Sequence, residues 1–188
     1  MSETVIEFDR FLARVVDGVE RGALTQQEAA HYLGEHIARR LYCSSASLWS
    51  LAGPPGLRVI TRVGGFDASA NRPLVEPLQA MATGTSAWHD ELAARRVFAS
   101  GDAQRDARLA PLHAALLVPR RVRGLLQAAI GANGGLGGFV SCVQHDAPRA
   151  WTPRETAQLQ RMAVALSLRR SRDGQESALA LPVSRAST

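Results

Sequence analysis

Between Gly101 and Arg108 the chain sets two carboxylates, Asp102 and Asp106, beside two guanidinium groups, Arg105 and Arg108. On a loop, that spacing suits the capture of a polar small molecule. A guanidinium grips an oxyanion through two parallel N–H donors, and a carboxylate accepts from the ligand's own donors. The same residues also suit a self-contained ion-pair loop, which at a surface contributes little to stability. His113 lies just downstream and can donate to the same ligand. Neither it nor His145 has a second His or a carboxylate at helical or strand spacing, so no metal-ligating set forms around them. Gly-x-Ser-x-Gly, His-Glu-x-x-His and Cys-x-x-Cys are all absent, which leaves nucleophilic, zinc and dithiol catalysis without a motif. The run from Gly131 to Gly138 contains neither Gly-x-Gly-x-x-Gly nor a P-loop lysine, so it reads as a hairpin rather than a phosphate cradle. Asp102, Asp106, Arg108 and His113 are therefore the expected ligand-binding residues, with no catalytic residue and no metal.

The elements that must position these residues follow from periodicity and caps. Val5, Phe8, Leu12, Val15 and Val19 recur at spacings of three and four, one face of a first helix that ends at Arg21-Gly22. Thr25 and Glu28 form a capping box that opens a second helix, whose buried face carries Ala30, Leu33, Ile37 and Leu41. Ala46 to Leu51 reads as a strand, Gly53-Pro54-Pro55-Gly56 as a turn and Leu57 to Phe66 as its partner strand. In the partner strand Leu57, Val59, Thr61 and Val63 point one way, and Arg58, Ile60 and Arg62 the other. Pro73 to Ala82 suggests a short helix ending at Gly84. The order of elements from Thr85 to Leu116 does not emerge, beyond a short strand at Arg96–Ser100. Val122–Ile130 and Gly138–His145 read as a hairpin around Asn133-Gly134-Gly135. A second capping box, Thr152 with Glu155, opens the last helix with Pro153 in its first position and Leu159, Met162, Ala163 and Leu166 as its apolar stripe. Trp49 and Trp151 read as packing residues, in mid-strand and at the entry of the last helix.

Composition narrows the partners. The net charge is +5, yet lysine never appears, and the 22 basic residues, all Arg, are scattered through the chain rather than gathered on one face. A phosphate backbone needs a clustered basic surface, and a single strand needs stacking aromatics, which make up only 5% of this chain. Nucleic acid is therefore not an expected partner. No apolar run is long enough to span a bilayer, and the acidic start MSETVIEFDR lacks the form of a signal peptide. A cytoplasmic location follows. The two cysteines, Cys43 and Cys142, are too few for a disulfide scaffold and lack metal spacing.

The order of elements resembles a GAF domain. The resemblance is carried by GDAQRDARLAPL, then VRGLLQAAIGANGGLGGFVSCVQHD, then PRAWTPRETAQLQRMAVALSL. These segments are similar to the closing half of GAF domains in bacterial signalling proteins, and the likeness extends over roughly Gln27 to Arg170. It implies an α+β fold: a central antiparallel sheet, terminal helices on one face, and pocket-forming loops on the other, here between Pro73 and Leu116. It also divides the chain into an N-terminal helix at 1–24 with a dimerisation role, a GAF-like domain at 25–170 and a disordered tail at 171–188. GAF domains that reduce methionine sulfoxide use several pocket cysteines, and bilin-binding ones a Cys commonly followed by His; Cys43 and Cys142 are followed by Ser and Val. The Asn-Lys-x-x-x-Phe-x-x-x-Asp-Glu set of cyclic-nucleotide binders cannot exist without lysine.

The resemblance therefore implies a sensory or regulatory domain that binds an unidentified small molecule, names no cofactor, and acts through dimerisation or a partner protein. A GAF-fold interaction module with a vestigial pocket is the alternative. On the first helix Ile6, Phe11 and Val16 widen the apolar stripe beyond one contact face, which predicts a homodimer joined through the terminal helices. Thiol titration of the denatured, non-reduced protein is expected to count both Cys43 and Cys142; finding neither would overturn the reading of two unlinked thiols.

Overall fold

The computed structural model describes residues 3–54, 57–83, 87–132 and 135–172. Its helices are α1 (Glu3–Glu20), α2 (Gln26–Arg40), α3 (Ala87–Arg95) and α4 (Pro153–Arg172). Its strands are β1 (Ser45–Ala52), β2 (Leu57–Asp67), β3 (Arg72–Pro73), β4 (Gln79–Thr83), β5 (Val97–Ser100), β6 (Val122–Ala132) and β7 (Gly135–His145). A 3₁₀ turn at Ala107–Leu112 runs directly into a π turn at His113–Leu117. The strands form one antiparallel sheet in the order β3-β2-β1-β7-β6-β5, with β4 pairing along the outer edge of β2.

Both faces of this sheet are covered, and the central strands show it by alternation. Ala46 and Leu48 of β1, Val140 and Cys142 of β7, and Leu126, Ala128 and Ile130 of β6 point to one side, where α1, α2 and α4 lie over them. Trp49 and Leu51, Phe139 and Val143, and Leu125 and Ala129 point to the other side and meet α3 and the 3₁₀ and π turns. Each large apolar side chain buried in these two layers contributes about 1.5–3 kcal/mol. An α+β sheet with the terminal helices on one face is the architecture expected from the residues.

The caps behave as chemistry requires. Thr25 and Glu28 bond reciprocally at the start of α2, as do Thr152 and Glu155 at the start of α4. The buried residues of α2 and α4 include every position expected on their apolar stripes. In β2, Ile60 joins the layer under the turns, while Val63 packs on the helical side after the register slips between Leu48 and Trp49.

Two expectations change. Pro73–Ala82 is no helix: Pro73 belongs to β3, residues 74–78 form an irregular crossing, and Gln79–Thr83 is β4. The open edge of β2 supplies ladder partners from Leu57 to Thr61, and backbone pairing outweighs the weak helical preference of Leu, Gln, Ala and Met. Most of the surplus apolar face of α1 is also absorbed within the chain, with Ile6 half-buried. Phe8, Leu12, Val15 and Val16 are buried in the core, and Phe11 stacks on His36 of α2 at 4.6 Å. Gly84, the Pro55-Gly56 half of the first turn, Asn133-Gly134 and the tail beyond Arg172 lie outside the described residues, as does the side chain of Val5. Cys43 and Cys142 are free and buried.

Helix α2 sits unusually low on the β1–β2 pair because Gly34 faces Gly65. A Cβ at Gly34 would stand 2.7 Å from the Ala46 carbonyl oxygen and 2.9 Å from Gly65 Cα. Gly→Ala in a helix interior ordinarily gains about 1 kcal/mol. Here the sign is expected to reverse. Gly34→Ala should destabilise the chain by about 1–3 kcal/mol, as overpacking does, read as a lowered urea midpoint at unchanged m-value.

Candidate functional site

Alternation along the strands delivers a mixed set of side chains to the face opposite the terminal helices. Ser45, Ser47 and Trp49 come from β1, Phe139, Ser141, Val143 and His145 from β7, and Leu125 and Gln127 from β6. Ile60 and Arg62 arrive from β2 by the same period of two. Above this floor lies a cavity of about 420 Å³, roofed by residues 74–78 on one side and by Leu112, Leu116, Leu117, Arg120 and Arg121 on the other. Part of the expected closing segment, Pro73 to Leu116, thus supplies one half of the roof and the start of the other.

The floor is polar along one strip and aromatic beside it. Ser45, Ser47, Ser141 and Gln127 are all buried. The Trp49 indole donates to Ser47 Oγ at 2.8 Å, Gln127 Nε2 donates to Ser141 Oγ at 3.4 Å, and the Trp88 indole donates to Gln127 Oε1. Trp49 and Phe139 lie nearly parallel, with centroids 5.9 Å apart. Ser45 Oγ and His145 Nε2 are 3.4 Å apart. That pairing falls short of a nucleophile and its base, because the buried Nδ1 of His145 has no partner to hold the ring in one tautomer.

The roof is tied down from beneath. Arg62 donates to the Glu76 carbonyl at 2.6 Å and its backbone N–H to the Leu78 carbonyl at 2.8 Å. Gln27 of α2 reaches the Val75 carbonyl at 2.9 Å. On the other side Arg121 and Asp146, both with positive φ, pair at 2.6 Å across the rim. Burial lowers the pKa of Arg62 and the charge of Arg120 adds to the effect; the Glu76 carboxylate opposes both.

None of Asp102, Asp106, Arg108 and His113 is among the residues lining this cavity. The first three are paired within the protein. Asp102 takes a two-pronged grip from Arg123, at 3.0 and 2.8 Å. Asp106 caps the 3₁₀ turn through the Arg108 N–H and takes a second two-pronged grip from the Arg108 guanidinium, at 2.9 and 2.6 Å. Arg108 also donates to Glu91 of α3 at 2.7 Å and to the Ala99 carbonyl of β5, and lies 4.6 Å over the Phe98 ring. Its donors are committed to joining three elements, which makes the loop a brace. His113 is half-buried in the π turn, away from the cavity.

Sequence reasoning passed over Arg62, Arg120, Ser47, Ser141 and Gln127. The alternation in β2 already placed Arg62 beside Ile60. No sequence pattern shows that the side bearing Ile60 is the one under the roof. Among the described residues no group of three or more His, Cys, Asp or Glu side chains could hold a metal ion, and no helix is long and apolar enough to cross a membrane.

No protein-family model and no curated protein matches the sequence. Solved structures do match the fold. A far-red cyanobacteriochrome photoreceptor is similar at a TM-score of 0.68 and 13% identity, over 88% of this chain and 97% of that one. The blue-light absorbing form of the Thermosynechococcus elongatus PixJ GAF domain gives 0.59 at 19% identity, over 83% and 92%. The GAF domain of an Acinetobacter phosphoenolpyruvate-protein phosphotransferase gives 0.53 at 12% identity, over 89% and 92%. At such identities the likeness establishes a GAF-like fold.

The brace predicts an acid-sensitive tie. The Arg108 guanidinium, outweighing burial, holds the Asp106 carboxyl below the usual carboxylate range. A carboxylate with a lowered folded-state pKa stabilises fully above its unfolded pKa, near 3.9, and loses that contribution as pH falls towards the folded value. Asp106→Asn is expected to cost about 1.5–3 kcal/mol at pH 7. The gap between variant and wild type in thermal midpoint should hold above about pH 4 and narrow as the pH falls below it, measured at about two points per pH unit.

Proposed function

We propose that the chain is a sensory or regulatory GAF-like domain that binds one small organic molecule in the cavity between the sheet and its roof, without catalysing its conversion. The cavity carries this reading. Its volume of about 420 Å³ lies in the roughly 300–1,000 Å³ range of small-molecule sites, and its apolar walls with a few convergent polar groups have the usual composition of such sites. Similar photoreceptor and GAF folds support it. Binding is favoured over chemistry because the one serine–histidine approach lacks an orienting partner.

The sheet offers a route for a signal. Ser47, Trp49 and Ser141 face the cavity, while their chain neighbours Ala46, Leu48 and Cys142 pack beneath the helices. A ligand that binds one strand arrangement better than another biases the helical layer as well. We place the sensing unit at residues 25–170 with flanking segments at 1–24 and 171–188, in a cytoplasmic setting consistent with two unlinked thiols.

Self-association through the terminal helices is the second part of the reading, and its support has moved from α1 to α4. Val164 and Leu168, one turn apart on α4, are 51% and 60% exposed. Light scattering is expected to give about twice the 20.2 kDa chain mass. Val164→Glu combined with Leu168→Glu should return it to the monomer with an unchanged circular-dichroism spectrum. For the cavity, native mass spectrometry should find a non-covalent adduct that is lost on denaturation and absent from Ser141→Phe, which fills the floor. A bare chain mass, together with no uptake of a neutral apolar dye, would favour the vestigial pocket instead.

A further inference from the structure

We propose that the ligand is an oxyanion-headed amphiphile, its ring-bearing apolar body lying on Trp49 and Phe139 and its head held between Arg62 and Arg120. This rests on reading the cavity as a ligand site and specifies what that site takes.

The argument begins with how the arginines of this chain are matched. Arg108 is paired with Asp106 and Glu91, Arg123 with Asp102, Arg149 with Glu155 and Arg121 with Asp146. Among the described residues Arg62, Arg72 and Arg120 line the cavity with no carboxylate within ion-pair distance, and of the other two it is Arg120 whose charge acts on Arg62. Arg62 spends one terminal nitrogen on the Glu76 carbonyl, and its buried Nε–H has no acceptor. Arg120 spends one on the Ala115 carbonyl at 3.2 Å.

An unmatched buried donor is costly, and two cations near each other add repulsion. That repulsion is felt at Arg62, where burial and Arg120 both disfavour the charged form and only Glu76 opposes them. The remaining carboxylates at the cavity are engaged: Asp146 pairs with Arg121, and Asp67 accepts from the Ala70 N–H at 3.0 Å. An oxyanion at this point would supply the missing acceptor and the missing charge together, through the charge-assisted bonds that guanidinium groups make best. The parallel Trp49–Phe139 pair gives an aromatic wall beside it, which suits a ring-bearing body.

Two dyes with one body test this. 1-Anilinonaphthalene-8-sulfonate carries an oxyanion, and N-phenyl-1-naphthylamine is the same skeleton without it. Fluorescence titration of the full chain at low salt is expected to show one site per chain, with the sulfonate binding about tenfold tighter or more, the scale of one charge-assisted hydrogen bond. Arg62→Met and Arg120→Met should each bring the ratio near unity by weakening the sulfonate and leaving the neutral dye unchanged. Ser141→Phe should abolish both. 1-Naphthoate and 1-naphthyl phosphate then compete for the site, and displacement by one or the other tells a carboxylate head from a phosphate head.

If the neutral dye binds as tightly as the sulfonate to the wild type, the oxyanion is wrong while the cavity remains a ligand site. If neither dye binds, the cavity reading itself fails. A sulfonate preference that survives both arginine variants, or dye uptake that survives Ser141→Phe, overturns the assignment to this site. Should Arg62→Met disturb the roof, seen as a changed spectrum, Arg120→Met decides alone, since Arg120 holds only the Ala115 carbonyl.

Discussion

The central strands β1, β7 and β6 have two faces to cover, and nearly everything else in the molecule answers to that. A strand alternates its side chains, so one run of residues must serve the helical layer and the cavity layer at once. Along β1 the run Ser45 to Leu51 does this residue by residue, sending Ala46 and Leu48 under the helices and Ser45, Ser47, Trp49 and Leu51 to the other side. The helical side is a buried, mostly apolar layer. The cavity side accepts four buried polar side chains, Ser45, Ser47, Ser141 and Gln127, each within hydrogen-bond reach of a neighbouring side chain. The contrast between two faces of the same strands is what supports the proposed ligand site on one of them.

Fastening those layers falls to arginine, the one strongly basic side chain in the sequence. Arg149 donates to the carbonyls of Leu41 and Tyr42 at the end of α2, to Gln144 of β7 and to Glu155 at the start of α4, and it lies 4.3 Å over the Trp151 ring. Arg108 does the equivalent for α3, β5 and the 3₁₀ turn. A compact ammonium could not hold so many acceptors in fixed directions, whereas a planar fork of five donors can. These clamps give part of the basic composition a structural role. Against them, Arg62 and Arg120 line the cavity without a carboxylate at ion-pair distance, and the buried Nε–H of Arg62 has no acceptor.

The roof is built differently from the rest. Where the helical layer is regular, residues 74–78 and the 3₁₀–π junction are irregular backbone held by side chains and by a few single bonds from α2 and β2. Such segments open at lower free energy than packed strands. A ligand entering the proposed site would pass a cover of this kind.

Local chemistry determined much of the molecule by itself. The two capping boxes, the apolar stripes of α2 and α4, the strands at β1, β2, β6 and β7 and the short strand β5 all follow from residues close in sequence, because caps, periodicity and turn preferences act over a few residues. The α+β layering followed from their order. Residues 72–83 escaped, since an edge strand takes its partner from another strand and leaves no strong period of its own. The acidic and basic loop at 102–108 was visible as a cluster, but whether it meets a ligand or itself depends on distances, and those closed Asp106 onto Arg108 and Asp102 onto Arg123. The covered face of α1 was decided by α2 and by the core beneath it. The cavity was decided last of all: Arg62 comes from β2 and Arg120 from the turn before β6, far apart in the chain, and only the closing of the sheet under its roof sets their two charges against one space.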